Sequence, residues 1–179
     1  MKNKKRVFNF ILLIVIVIFT SACSDNNSRY QVNKYMNSYI NINNKVLSQV
    51  YKEVDKLELN EENNILYKEA LLRQFSDLKY EIIGSTMDTN NCIYNLEIEV
   101  YDFKKIVDKM ESNLLLDPSE YIEDNKFDKN LYDKAKFTNM LNTENRVNYY
   151  INLNVIKDND EWIVNNLDRD SLLKLEGLY

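Results

Sequence analysis

The stretch "CIYNLEIEV", residues 92–100, sets Cys92, Tyr94, Leu96, Ile98 and Val100 at alternate positions, with Asn95, Glu97 and Glu99 between them. A period of two fits an extended strand with one face buried and the other wet. It does not fit a helix, whose apolar side chains must recur every three or four residues. Such a strand needs hydrogen-bonded neighbours on its edges and a second layer over its apolar face. The rest of the chain must supply both.

The neighbours are legible. Leu78, Tyr80 and Ile82 alternate with Lys79 and Glu81, and Gly84 marks a bulge or bend. The "DTNN" at 88–91 is turn chemistry, so these segments form a hairpin. Val147, Tyr149, Ile151, Leu153 and Val155 share a third apolar strand face. The turn "KDND" then leads into "EWIVNNL", with Trp162 and Val164 facing inward. The covering layer is predicted from helical spacing. Val32, Met36, Tyr39, Val46, Val50, Val54 and Leu57 form a stripe on one long helix that bends at the "NINN" of 41–44. Asn60 caps a second helix that packs Ile65, Leu66, Leu72 and Phe75. A third carries Phe103, Ile106, Val107, Met110 and Leu114, and Pro118 starts a new turn. A helix near 128–141 packs Leu131, Ala135 and Leu141, and "DSLLKLEGLY" ends the chain as a short amphipathic segment. Helices segregated from antiparallel strands make an α+β domain: N-terminal helices on a curved sheet of about four strands.

Upstream of this domain, Lys2, Lys4, Lys5 and Arg6 precede an unbroken apolar run at 10–19, followed by "TSAC" at 20–23. A basic start, a short apolar stretch and a small-residue exit read as a secretory signal. Ten helical residues rise about 15 Å, against a hydrocarbon core of about 30 Å. The stretch from Val7 to Cys23 reaches the lower limit of a span, so an uncleaved anchor helix stays as the alternative. The seam "TSAC" resembles the lipobox of bacterial lipoproteins. That resemblance implies cleavage before Cys23 and diacylglycerol on its sulfur. It places the protein on the cell membrane, lipid-anchored and facing the extracytoplasmic side. The domain organisation is then signal peptide 1–22, lipidated tether 23–29 with the polar "SDNNS", and a single α+β domain 30–179. Cys92, the only other cysteine, sits on an apolar strand face and behaves as a small hydrophobe.

Loss of the first 22 residues removes four of the 23 basic residues and none of the 28 acids, taking the net charge from −5 to −9. That disfavours nucleic acid and anionic surfaces as partners. Histidine is absent, which removes the commonest general base and zinc ligand, and no metal or other cofactor is expected. The ending "NYYINLNVIKDNDEWIVNNL" and the helical N-terminal half resemble the NTF2-like, cystatin-like group of small lipoprotein domains. Members of that group hold a pocket between sheet and helices, and some place acid–base residues there. In this chain the inward face offers no Asp, Glu or Lys, only tyrosine hydroxyls. Tyr94 and Tyr149 are the candidate contacts of an apolar ligand in such a pocket.

Thirteen tyrosines stand against one tryptophan. Tyrosine gives amphipathic contact area at low entropic cost. Tyr101 and Tyr150 fall on the polar strand faces by period and are the expected exposed contacts for a partner. The "DNDE" at 158–161 lacks the glycine and distal glutamate of a calcium loop. Glu120, Glu123, Asp124 and Asp128 read as a solvated face, as do Glu97 and Glu99. No nucleophile, zinc or nucleotide motif is present, and no catalytic residue is assigned. The leading expectation is a non-enzymatic lipoprotein that binds an envelope protein. The alternatives are a small apolar-ligand pocket and, last, a carboxylate-based enzyme.

Overall fold

The computed structural model describes residues 26–179. Cys23 and the signal segment lie outside the described residues. The fold is α+β. Three helices come first: α1 (Asn26–Ile40), α2 (Asn44–Asp55) and α3 (Glu61–Ser76). The hairpin β1 (Lys79–Met87) and β2 (Asn91–Tyr101) follows, then α4 (Phe103–Leu116). A two-strand ribbon, β3 (Ile122–Glu123) and β4 (Lys126–Phe127), leads into α5 (Lys129–Asn142). The chain closes with β5 (Arg146–Asp158), β6 (Glu161–Val164) and α6 (Arg169–Leu175). One antiparallel sheet has the order β1-β2-β5-β6. The expected strand faces hold, with Cys92, Tyr94, Leu96, Ile98 and Val100 all buried. The register slips between Ile82 and Gly84, where the glycine was expected to bend the strand.

The N-terminal helical stripe is two helices rather than one bent helix. The N–H of Ile42 bonds the Tyr39 carbonyl and that of Asn43 bonds the Ser38 carbonyl. This is the paired reversal that ends helices, with Ile42 in the left-handed region (φ 46°) where glycine is usual. Asn43 then caps α2 by accepting from the Val46 N–H. The polar tether is also shorter than the sequence suggests, because Asn26 to Arg29 belong to α1. Ser28 is fully buried, and its Oγ lies 2.7 Å from the Tyr94 hydroxyl. A serine that reads as linker is fixed by a tyrosine 66 residues away.

Two helices bury only part of the face that hydrophobic spacing predicts: Leu66, Leu72, Phe75 and Leu141 pack in or against the core, but the rest of the inward face differs. In α3, Ala70, Leu71, Gln74 and Phe75 are buried, while Ile65 is exposed. In α5, Asp133, Phe137 and Met140 are buried and Leu131 is exposed. The reason is polar. Asp133 sits between Lys129 and Lys136. Burial would raise its carboxyl, but the two ammonium hydrogen bonds outweigh that and hold it below the usual carboxylate range. Phe137 then stacks on Tyr67 with ring centroids 4.5 Å apart. The ribbon β3–β4 had no sequence signal beyond Asp124 and Asn125, which take left-handed backbone at its turn.

The two halves of the chain meet at Gln74, a fully buried amide on α3. Its Oε1 accepts from the Tyr101 N–H at 2.8 Å, and its Nε2 donates to the Tyr101 carbonyl at 2.9 Å. Gly177, in left-handed backbone after α6, lies against the same peptide group. A Cβ there would stand 2.0 Å from the Tyr101 oxygen and 2.4 Å from the Gln74 amide nitrogen. Gly177→Ala is therefore expected to cost about 3 kcal/mol, from overpacking and backbone strain together, read as a lower urea midpoint.

Glu176, beside that glycine, is half-buried and pushed up to about 7 by desolvation, with the Glu53 carboxylate on α2 adding to the shift. The phenols of Tyr39 and Tyr67 lie within its electrostatic reach. The folded state holds this proton more tightly than the unfolded chain, where the ordinary value is 4.5. Its contribution is thus complete below about pH 4.5 and is lost as pH rises through about 7. Thermal melts should show this slope. Glu176→Gln should flatten it and stabilise the protein above pH 7 by about 2 kcal/mol.

Candidate functional site

The helices α1, α3 and α6 pack over one face of the sheet, and the core fills the space between. Four tyrosines were singled out as candidate contacts, and the fold separates them. Tyr94 is 0% exposed, with its hydroxyl 2.7 Å from the Ser28 Oγ. Tyr149 is half-buried at the start of β5, where its hydroxyl donates to the Tyr179 carbonyl at 2.8 Å. Tyr150 is 62% exposed on the open sheet face, as expected.

Tyr101 is 3% exposed and corrects the expectation drawn from its strand parity. Its ring lies between two guanidinium groups, Arg73 at 3.9 Å and Arg146 at 4.2 Å from the centroid. Its hydroxyl donates to Asp77 at 2.6 Å. Arg73 continues to the Leu141 and Thr143 carbonyls and to Glu144. Arg146 reaches the Asp77 carbonyl and Glu99. The polar face at this end of β2 is thus covered by arginines that a period-two reading cannot see.

The acidic candidates are structural. Glu99 is held below its usual range by the Lys79 hydrogen bond, and the charges of Lys79 and Arg146 act in the same direction. Glu97 accepts from the Asn148 amide at 2.9 Å. Asp128 caps α5 by accepting from the Asn130 and Leu131 N–H groups. Asn159 and Asp160 form the two-residue turn between β5 and β6, both with positive φ. Among the described residues, no group of three or more His, Cys, Asp or Glu is placed to hold a metal ion. Cys92 is buried and unpaired as a thiol.

One substantial concavity is not announced by the sequence. A cleft of about 780 Å³ runs between α1 and β6. Its helical wall carries Asn27, Tyr30, Gln31 and Lys34, a face of α1 turned away from the buried stripe. Its other wall is the run 160–164, including Trp162 and Val164. At the far end, Ser38, Lys45 and Asn166 also line an adjacent hollow of about 410 Å³. The lining is amide, hydroxyl, lysine and aromatic.

Compared with known proteins, the chain matches no protein-family model, and no curated protein or solved structure matches it. The geometry carries the reading alone.

Two tyrosines assigned together by period separate in their expected energetics. Tyr101→Ala should cost about 3 kcal/mol or more by emptying the space between two guanidinium groups. Tyr150→Ala should stay within about 0.5 kcal/mol of wild type. Urea unfolding of both variants measures the contrast.

Proposed function

We propose that this protein is a membrane-anchored extracytoplasmic lipoprotein whose single domain is a non-enzymatic interaction module of the cell envelope. The observation that carries the reading is the pairing of the "TSAC" seam, after a basic and apolar leader, with a domain that keeps its sheet interior for packing. The sheet face where a pocket enzyme would carry its acid and base is filled by Cys92, Leu96, Ile98, Val100 and a sealed Tyr94. The apolar-ligand alternative loses support because its proposed contacts are buried or already bonded. The carboxylate alternative loses support because Glu97 and Glu99 are tied to neighbouring amides and cations. Among the described residues no helix is long and apolar enough to cross a membrane, so anchoring rests on the leader and Cys23.

Two acyl chains at Cys23 anchor stably where one is marginal, at about 0.8 kcal/mol per buried CH₂. Cys23→Ser should therefore keep its precursor mass and fail to incorporate radiolabelled palmitate, whereas wild type loses 22 residues and gains diacylglycerol. A wild-type chain with an intact leader and an unmodified cysteine would overturn the reading in favour of an uncleaved anchor helix.

A further inference from the structure

We infer that the cleft between α1 and β6 receives an extended acidic peptide segment, which adds to β6 as a fifth strand with α1 as its opposite wall. The inference deepens the interaction-module reading and rests on it for the class of partner.

The first ground is the strand edge. β6 ends the sheet order, so among the described residues one of its sides has no strand beside it. Residues 160–164 line the cleft consecutively, although alternate residues of a strand point to opposite faces. Consecutive lining places the cleft against the backbone edge rather than against either face. The Asn165 N–H bonds the Asn154 carbonyl, so position 165 is turned toward β5. By alternation Val164, paired with Val155, turns its N–H and C=O away from β5 and into the cleft. An edge strand facing a helix across a groove is the arrangement in which peptides bind by strand addition.

The second ground is charge. Lys34 on α1 and Lys45 on α2 both face the cleft, and neither makes an ion pair among the described residues. Acids are confined to the hairpin end, where Asp160 is held by Lys157 at 3.1 Å and Glu161 stands beside it. The middle and far end, toward Ser38 and Asn166, are therefore positive. In a domain of strongly negative net charge, two unneutralised lysines select an acidic occupant for that end. Tyr30, 62% exposed, and half-buried Tyr35 supply flat contact area along the same wall.

The experiment is a selection of random twelve-residue peptides on the full-length chain in detergent, for wild type and Cys23→Ser alike. The expected result is enrichment of Asp- and Glu-rich sequences whose affinity falls about tenfold in Lys34→Glu/Lys45→Glu, with circular dichroism and melting unchanged. N-methylation of a selected peptide should abolish binding at every second residue and be tolerated at those between, the signature of a one-sided ladder. Neutral or basic winners, indifference to the lysine reversals, or no alternation would each overturn the inference. Lysine-dependent binding of phosphatidylglycerol vesicles in place of peptides would overturn it in favour of a lipid headgroup. Because peptide binding is scored without reference to the lipid, a failure here is distinct from a failure of the anchoring reading.

Discussion

The paired hydrogen bonds between the Gln74 amide and the backbone N–H and C=O of Tyr101 join distant parts of the chain at one point. A strand end has an N–H and a carbonyl with no ladder partner, and burying them unbonded costs about 1–3 kcal/mol each. Gln74 satisfies both with one side chain, and so brings α3 to the end of β2. That placement brings Arg73, its neighbour on the helix, onto the Tyr101 ring. Arg73 then reaches the segment between α5 and β5 through Leu141, Thr143 and Glu144. On the other side, Gly177 closes over the same peptide group and brings the end of the chain back to α4, where the Lys104 N–H bonds its carbonyl. Three segments far apart in sequence share one amide.

The strands were legible because alternation is a short-range signal: each face of β2 and β5 can be read from residues two apart. One cap was legible for a similar reason: Asn60 accepts from the N–H three residues on, as its spacing predicts, whereas Asp128, read as a solvated acid, proves to cap α5. The orientation of α3 and α5 was legible only in part, since it also depends on polar residues that counting assigns to solvent. Gln74 and Asn63 are buried where distant backbone groups receive their amides, and Asp133 where two lysines of its own helix flank it. The same blindness turned Ser28 into linker, when a tyrosine of β2 makes it part of the core.

The candidate site was legible only in part. Period two placed Tyr150 correctly and Tyr101 wrongly, and the difference lies entirely in the arginines that flank one and not the other. The cleft could not be read from local pattern at all. Its walls come from the run 27–45 and the run 160–166, which meet only after the sheet has ordered its strands. On α1 the lining residues Tyr30, Gln31 and Lys34 look like any polar helix face. What makes them a wall is the short strand opposite.

The start of α1 at Asn26 has a mechanical consequence. On the proposed anchor, three residue steps separate the lipidated sulfur-bearing residue from a packed helix, and a chain fully extended covers about 11 Å over that distance. The domain would therefore be unable to wander through the aqueous space as a balloon does on a string. It would ride at a nearly constant height, with the hairpin at 159–160 and the Asn27 end of the cleft toward the bilayer. The helix itself spans only about 22 Å from its first residue to its last. On that anchor the domain would work within a layer a few nanometres deep, close to the surface that holds it.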